Sequence, residues 1–389
     1  MHGVMDKTPI VAFSHLRWNS VFQRPHHIMS RFASRRDVLF VEEPEAHRGE
    51  PALEIIRVAP RLRVVKPRVP LDQAGFGSVR QEALEGLLRK LLQAQGCEEF
   101  VAWLYAPMAV SVARALRPRA MVYDCMEELE ALRFTPPMLR ERERDLLGCC
   151  NVVFTIGPSL YRAKRGLHPS VHCFPSSVDM AHFAGANGIP ETREQEGIPR
   201  PRLGYFGVID DRMDLGILRS LAVDHPEWQI ILVGPVKIEA NLLPRAANLH
   251  YMGQRPYQDL PSFLAGWDVC LIPFAMNATT KFLSPTKCLE YMAADRPIVS
   301  TPIQDVTEPY GDIVHVGCGP RGFLEACDRA LRECAAARSI RRALASQVLR
   351  ETSWDETVER MNSIVSRLGG TPSRSVRWVA AQPVPRFAT

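Results

Sequence analysis

Two doubly wound α/β domains facing a central cleft are the fold this sequence predicts. Three observations carry the prediction. Short apolar runs alternate with amphipathic stretches from about residue 9 onward, the pattern of β-α-β units around a parallel sheet. A polar segment rich in Gly and Pro, "AGANGIPETREQEGIPRPR" (184–202), interrupts that pattern, which then restarts. The chain has 389 residues, too many for one ordinary core and comfortable for two.

In the first half, "PIVAFSH" (9–15) reads as a buried strand and "PHHIMSRFASR" (25–35) as a helix with Pro25 in its first turn. "DVLFVEEP" (37–44), "RLRVVKP", "EFVAWLYAP", "AMVYDC" and "NVVFTIG" read as further strands. Helical patterns at 78–95, 107–116 and 137–148 separate several of them. In the second half "RLGYFGVI" (202–209) is a strand ending in a Gly turn. A helix at 214–224 precedes the strand "WQIILVGP". "NLHYMGQ", a helix at 256–265, "DVCLIPF" and "DIVHVG" (312–317) continue the alternation. Residues 320–349 read as one long helix. "TSWDETVERMNSIVSRLG" (352–369) reads as a helix capped by Ser353. The predicted division is 1–183, a linker at 184–201, a second domain at 202–351, a helix at 352–368 and a tail at 369–389.

Composition narrows the class. Hydrophobic residues make up 46% and charged residues 23%, as in a soluble globular protein. Residues 1–180 carry 25 Lys and Arg against 20 Asp and Glu, and residues 181–389 carry 23 of each, so the net +5 lies in the first half. That excess is too small to predict nucleic-acid binding. It suits an acidic ligand or weak peripheral contact with an anionic membrane face. The ten cysteines form no C-x-x-C pair and no zinc spacing, so they read as reduced thiols in the cytoplasm and no metal is expected. The N-terminus lacks the apolar run of a signal peptide, and no stretch of about 18 apolar residues predicts a membrane span.

Four stretches could carry chemistry. In "SPTKCLEYMAADRPIVST" (284–301), Ser284 is placed to cap a helix with Pro285 at its first position. Free N–H groups there favour anions. Lys287 adds a charge suited to phosphate, and Glu290, three residues on, shares its face and suits the paired hydroxyls of a ribose. A capped helix with an ordinary Lys–Glu pair is the simpler reading of the spacing alone. In "GYFGVIDDRMD" (204–214), Gly207 would let a ligand approach the backbone and Arg212 could reach a diphosphate, while Asp210 and Asp211 read as a polar turn. In "SHLRWNSVFQRPHHIMS" (14–30), Arg24 opens a helix at a place where α/β sites are lined. In "VYDCMEELEALRF" (122–134), Asp124 ends a strand, where catalytic carboxylates of such sheets sit. No G-x-G-x-x-G follows a first strand, which disfavours a nicotinamide oxidoreductase.

With these residues in view the chain resembles the GT-B glycosyltransferases, in the retaining, nucleotide-sugar-dependent family related to sucrose and mannosyl transferases. Bacterial teichuronic-acid and exopolysaccharide enzymes are closest in look. Their W-x-x-x-x-Q-R-P loop is matched by Trp18 to Pro25, their Y-F-G strand end by Tyr205 to Gly207, and their P-x-K-x-x-E-Y-x-A-x-x-x-P-V-V motif from Pro285 to Val299, with Ile298 for the first Val. The resemblance covers about residues 8–368. It implies a GT-B fold and transfer of a sugar from a nucleoside diphosphate sugar to a saccharide or lipid-linked acceptor. The nucleotide-sugar is then a co-substrate, with no bound cofactor. It implies that Glu290 holds the ribose, that Lys287 and Arg212 meet the diphosphate, and that the backbone at Gly253 and Gln254 meets the base. Ser284, Thr286 and Gly207 complete the implied donor site, and Arg24 and Asp124 stand as the catalytic candidates. The chain departs from the family where a first Glu precedes Glu290: that position is Phe282, and Asn277, Thr280 or Lys281 is left to read the donor sugar. Phe282 also supports the alternative of a non-catalytic nucleotide-sugar or polysaccharide-binding protein. A Gly that the family places after the motif's Ala-Ala is Asp295 here.

Overall fold

The computed structural model describes residues 7–78, 81–129 and 136–368; the expected tail at 369–389 lies outside the described residues. Two sheets organise the chain. The first contains β1 (Ile10–Ser14), β2 (Val38–Glu42), β3 (Glu45–Ala46), β4 (Ala52–Ala59), β5 (Leu62–Val69), β6 (Val101–Leu104), β7 (Ala120–Cys125), β8 (Val152–Thr155) and β9 (Val171–Cys173). Its order is β3-β5-β2-β1-β6-β7-β8-β9, with β4 antiparallel on β5. The second contains β10 (Arg202–Phe206), β11 (Gln229–Val233), β12 (Leu249–Gly253), β13 (Val269–Ile272), β14 (Ile298–Ser300) and β15 (His315–Val316), all parallel in the order β12-β11-β10-β13-β14-β15. In both sheets the chain starts in the middle, winds one way and then crosses to the other side. The strand ends beside that reversal form a crevice where ligands of such sheets bind.

The central strands are buried on both faces because helices cover both. Every residue of β1, β2, β6, β7 and β8 is buried, which is why these segments read as continuous apolar runs. One face of the first sheet packs on the helices Glu82–Ala94, Val110–Ala115 and Pro137–Cys149 through Leu88, Val112 and Leu146. The other face holds Ile28 and Phe32 of the helix Arg24–Phe32, and also Trp354, Val358 and Met361 of the helix Trp354–Val365. The chain's last described helix therefore belongs to the first core. Its start is fixed by the Ser353 hydroxyl, which accepts the Asp355 N–H at 3.2 Å, and by the stacking of Trp354 on His27, 4.7 Å and 9° apart.

Three segments differ from the sequence expectation. The Gly- and Pro-rich stretch 184–201 is built into the second domain: it contains the helix Arg193–Glu196, and the fully buried Gln195 takes the Trp267 Nε1 proton at 3.2 Å and donates to the Phe263 carbonyl at 2.9 Å. The long helix expected over 320–349 is two, Gly319–Leu331 and Ala335–Arg350. Strand β4 was not foreseen: its alternating side chains are mostly exposed, so it lacks an apolar signal.

The two domains touch on both sides of the crevice. The Asp305 carboxylate accepts the Ser159 N–H and hydroxyl protons at 3.0 Å each. On the other side Phe22 packs on Tyr257 with ring centres 4.6 Å apart. Between these contacts lies a cavity of about 440 Å³ lined from both domains.

Candidate active site

The second domain's wall is made by the ends of β10 and β11 and by the helix Lys287–Ala293. Gly207, just past β10, has φ +142°, and Gly234, just past β11, has φ +150°, a region that favours glycine. A Cβ on Gly234 would stand 1.8 Å from the Gly207 carbonyl oxygen, and one on Gly207 would stand 2.4 Å from Lys287 Cε. Two bare backbones thus lie against each other, and the Lys287 stem crosses the outer one.

The helix presents two faces. Cys288, Leu289, Tyr291 and Met292 point into the core, and the Tyr291 hydroxyl accepts the Phe206 N–H at 3.2 Å, tying the helix to the end of β10. Lys287 and Glu290 lie on the other face and line the cavity. Glu290 is 7% exposed. Among the described residues neither the Lys287 ammonium nor the Glu290 carboxylate has a hydrogen-bond or ion-pair partner; the Lys287 Nζ has only the Tyr205 ring, 6.0 Å away. Burial raises the Glu290 carboxyl to about 7, with Lys287 opposing. Burial likewise lowers the Lys287 ammonium, with Glu290 opposing. Desolvated charges without direct partners cost stability. A ligand carrying both an anion and adjacent hydroxyls would relieve both.

Ser284 and Thr286 also line the cavity, but the helix begins at Lys287, later than expected. Ser284 therefore does not cap it, and Thr286, in the capping position, makes no side-chain cap bond. Arg212 lines the cavity with its guanidinium bound through Nε to both oxygens of Asp210 at 3.0 Å and through Nη2 at 2.5 Å. The first of the two aspartates read as a turn is thus the carboxylate that aims Arg212. Gln254 reaches the cavity, while the Gly253 carbonyl is occupied by the Gly234 N–H at 2.8 Å.

Asn277 and Thr280 do not line the cavity. The Asn277 side-chain oxygen accepts the Thr279 and Thr280 N–H groups, and the Thr280 hydroxyl donates to the Ala275 carbonyl. Both side chains hold the single turn Thr280–Phe282 in shape. Phe282 stays outside the cavity, with Lys281 Nζ 5.5 Å from its ring centre.

The first domain's wall corrects the expectation for Asp124. Its carboxylate is completely buried behind the cavity wall and is held by Arg24 Nε at 3.1 Å, Arg24 Nη2 at 3.0 Å and the Trp103 indole N–H at 3.3 Å. Arg24 itself is 4% exposed, donates to the Phe174 carbonyl at 2.8 Å, and shows the cavity only part of its side chain. The pair ties the helix Arg24–Phe32 to β6, β7 and the segment after β9, and Asp124 is sealed from the cavity. His26 is held inside the wall, whereas His27 reaches the cavity. His26 Nε2 lies 2.9 Å from the Trp18 carbonyl, and burial, helped by Arg31, pushes His27 down to about 2. Sequence reading missed Lys237 and Tyr257, which reach the cavity from the loops after β11 and β12; a lone exposed Lys and an aromatic in "QRPYQDL" carry no local signal. Among the described residues no three His, Cys, Asp or Glu gather to hold a metal ion.

Comparisons with known proteins bear on the fold. A family model described as glycosyl transferases group 1 matches residues 201–333. A Bacillus subtilis protein assigned to teichuronic acid biosynthesis as a glycosyltransferase is 24% identical over 168 residues, covering 41% of this chain and 42% of that protein, so the match spans less than half of the relative. The sucrose-phosphate synthase of Thermosynechococcus elongatus superposes with TM-score 0.72 at 14% identity over 93% of this chain and 99% of its own. An E. coli trehalose-6-phosphate structure bound with UDP-2-fluoro glucose gives TM-score 0.68 at 13% identity over 94% and 100%. A UDP-forming trehalose-phosphate synthase from Burkholderia xenovorans gives 0.66 at 13% over 94% and 100%. The chain therefore has the GT-B fold, and residues 201–333 of its second domain are similar to the glycosyl transferases group 1 family.

Proposed function

We propose that the protein transfers a sugar from a nucleoside diphosphate sugar to a saccharide or lipid-linked acceptor in the synthesis of a cell-surface polysaccharide or glycoconjugate. One observation carries the reading: Lys287 and Glu290, both without a direct partner among the described residues, face one cavity, with the Lys287 stem lying across the bare backbone of Gly207. In this reading Lys287 and Arg212 meet the diphosphate, Glu290 the ribose hydroxyls, and Gln254 the base. The UDP-sugar bound in the E. coli structure of the same fold supports a nucleotide-sugar donor. The segment 202–351 would carry the donor and 1–183 the acceptor.

The chemistry follows from charge. Glycosyl transfer leaves a diphosphate whose negative charge grows as the bond to the sugar breaks. Fixed positive groups aimed at that charge in a site shielded from water stabilise the transition state more than the ground state. Arg212 is held rigid by Asp210 for this role, and Lys287 is a mobile point charge. All ten cysteines are free, which fits work in a reducing cytoplasm. Among the described residues no helix is long and apolar enough to cross a membrane; contact with the inner membrane face would be peripheral.

The test is a melting-temperature screen with UDP-, GDP- and ADP-sugars, followed by turnover of whichever donor binds. A donor that stabilises the wild type and is turned over, with turnover lost in Lys287→Ala and Glu290→Ala, is the expected result. Binding without turnover would favour a non-catalytic binding protein. Full turnover in both variants would remove the site assignment.

A further inference from the structure

Across the cavity from Lys287 stand two side chains that neither the donor reading nor the Arg24–Asp124 brace uses. His15 is the first residue beyond β1, in a turn held by the buried Ser14 hydroxyl, which accepts the Leu16 N–H at 3.0 Å. Glu127 lies two residues beyond β7. Its carbonyl accepts a bond from the Cys125 thiol at 3.3 Å, and its neighbour Glu128 is anchored by the Lys164 ammonium at 2.7 Å, which also binds Glu143 at 2.9 Å. Both backbones are thus pinned while both side chains are left pointing at the cavity. Among the described residues neither the His15 ring nor the Glu127 carboxylate has a hydrogen-bond or ion-pair partner. Glu127 interacts electrostatically both with His15 and, from across the cleft, with Arg212. It lines the same cavity as Arg212, to which the donor reading gives the diphosphate.

We propose that His15 and Glu127 form the acceptor subsite and that it takes an uncharged saccharide by its hydroxyl groups. The proposal rests on the glycosyl-transfer reading and adds the acceptor's chemical class to it. A carboxylate accepts hydrogen bonds and donates none, and a neutral imidazole accepts at one nitrogen and donates at the other. His15 and Glu127 are both exposed; partial desolvation lowers the His15 ring's affinity for a proton, with Glu127 and Glu43 opposing, and the neutral ring offers one acceptor and one donor. Neighbouring sugar hydroxyls, each donor and acceptor, match that pair. The Met126 side chain beside Glu127 adds an apolar surface for a sugar face. A phosphate or carboxylate on the entering sugar would meet Glu127 as a like charge, and the cation on this wall, Arg24, is already neutralised by Asp124.

The experiment uses the full chain with the nucleotide-sugar that raises its melting temperature, and a panel of neutral mono- and disaccharides alongside their phosphate esters. The wild type is expected to glycosylate neutral sugars in preference to the esters. His15→Ala and Glu127→Ala should each raise the acceptor KM about three- to tenfold, the scale of one lost hydrogen bond, while keeping the nucleotide-induced rise in melting temperature. Glu127→Lys should shift the preference toward the phosphate esters. Preference of the wild type for the esters, or wild-type acceptor KM in both alanine variants, would overturn the proposal while leaving the donor reading intact. If no nucleotide stabilises the wild type, the donor reading falls and this inference falls with it.

Discussion

The two walls of the cleft carry charge in opposite ways. On the first domain's wall Arg24 and Asp124 are buried together, with the Trp103 indole and the Phe174 carbonyl absorbing part of the remaining hydrogen-bonding capacity. On the second domain's wall Glu290 is buried and Lys287 half-buried, yet neither reaches a direct partner among the described residues. Charges that satisfy one another hold structure, whereas desolvated charges left open hold a place for something else. If that distinction is right, mutating the first pair should register mainly in folding and mutating the second mainly in turnover.

The largest effect expected is on stability. Asp124→Ala leaves the Arg24 guanidinium buried without its counter-charge, which costs about 3–5 kcal/mol. Chemical denaturation should show a loss of that size, and the double substitution Arg24→Met with Asp124→Leu should recover most of it, because a well-packed apolar pair avoids desolvating both ions. A loss below about 1 kcal/mol in Asp124→Ala would erase the contrast between the walls.

Next comes Lys287→Ala. Removing one positive group aimed at a developing diphosphate should lower donor turnover by about 10²- to 10³-fold. Folding stability should stay within about 1 kcal/mol, since no hydrogen bond or ion pair is broken. Loss of folding in place of turnover would make Lys287 a structural residue like Arg24.

These two outcomes also separate what a sequence can and cannot display. Lys287 and Glu290 were legible because both lie on one short helix, where a spacing of three puts them on a common face. Asp124 was legible as a strand-end carboxylate, but its partner lies 100 residues away, and only the folded sheet shows that the pair is sealed from the cavity. Ser284 looked like a cap because a Pro follows it, yet the observed first helical residue is Lys287. The parallel strands were readable from their apolar runs. The exposed β4 was not, and the polar stretch 184–201 concealed a buried Gln195 whose role depends on Trp267, 72 residues on.

The contrast can be sharpened by titration. The Glu290 carboxyl is raised to about 7 from an ordinary value of 4.5. Between those two pH values the folded protein holds a proton that the unfolded chain has released, so stability without ligand falls as pH rises from about 4.5 to about 7 and is flat outside that window. The fall should be on the order of 3 kcal/mol. Glu290→Gln should abolish this component. A ribose that hydrogen-bonds the ionised carboxylate should reverse the preference: donor affinity should rise with pH through about 7, with proton release seen by calorimetry in two buffers of different ionisation enthalpy. No proton release at pH 6.5 would mean that the ligand does not engage Glu290.

The smallest effect lies just beyond the end of the same helix, and it repeats the comparison within one element. Asp295 has φ +53°, a left-handed conformation that glycine adopts freely and other residues resist. The position is held by a residue that tolerates the conformation and that finds partners: Arg342 Nε lies 2.6 Å and Arg341 Nη1 3.4 Å from its carboxylate. Near its start the helix carries unmatched charge toward the cleft, and beyond its end it is tied by matched charge to the helix Ala335–Arg350. Asp295→Ala keeps the strained φ, with the added loss of both arginine contacts, and should cost about 1–2 kcal/mol. Asp295→Gly loses the same contacts but removes the strain, so it should cost less than the alanine change. Equal losses in the two variants would show that the arginine contacts, and not the backbone, determine what this position requires.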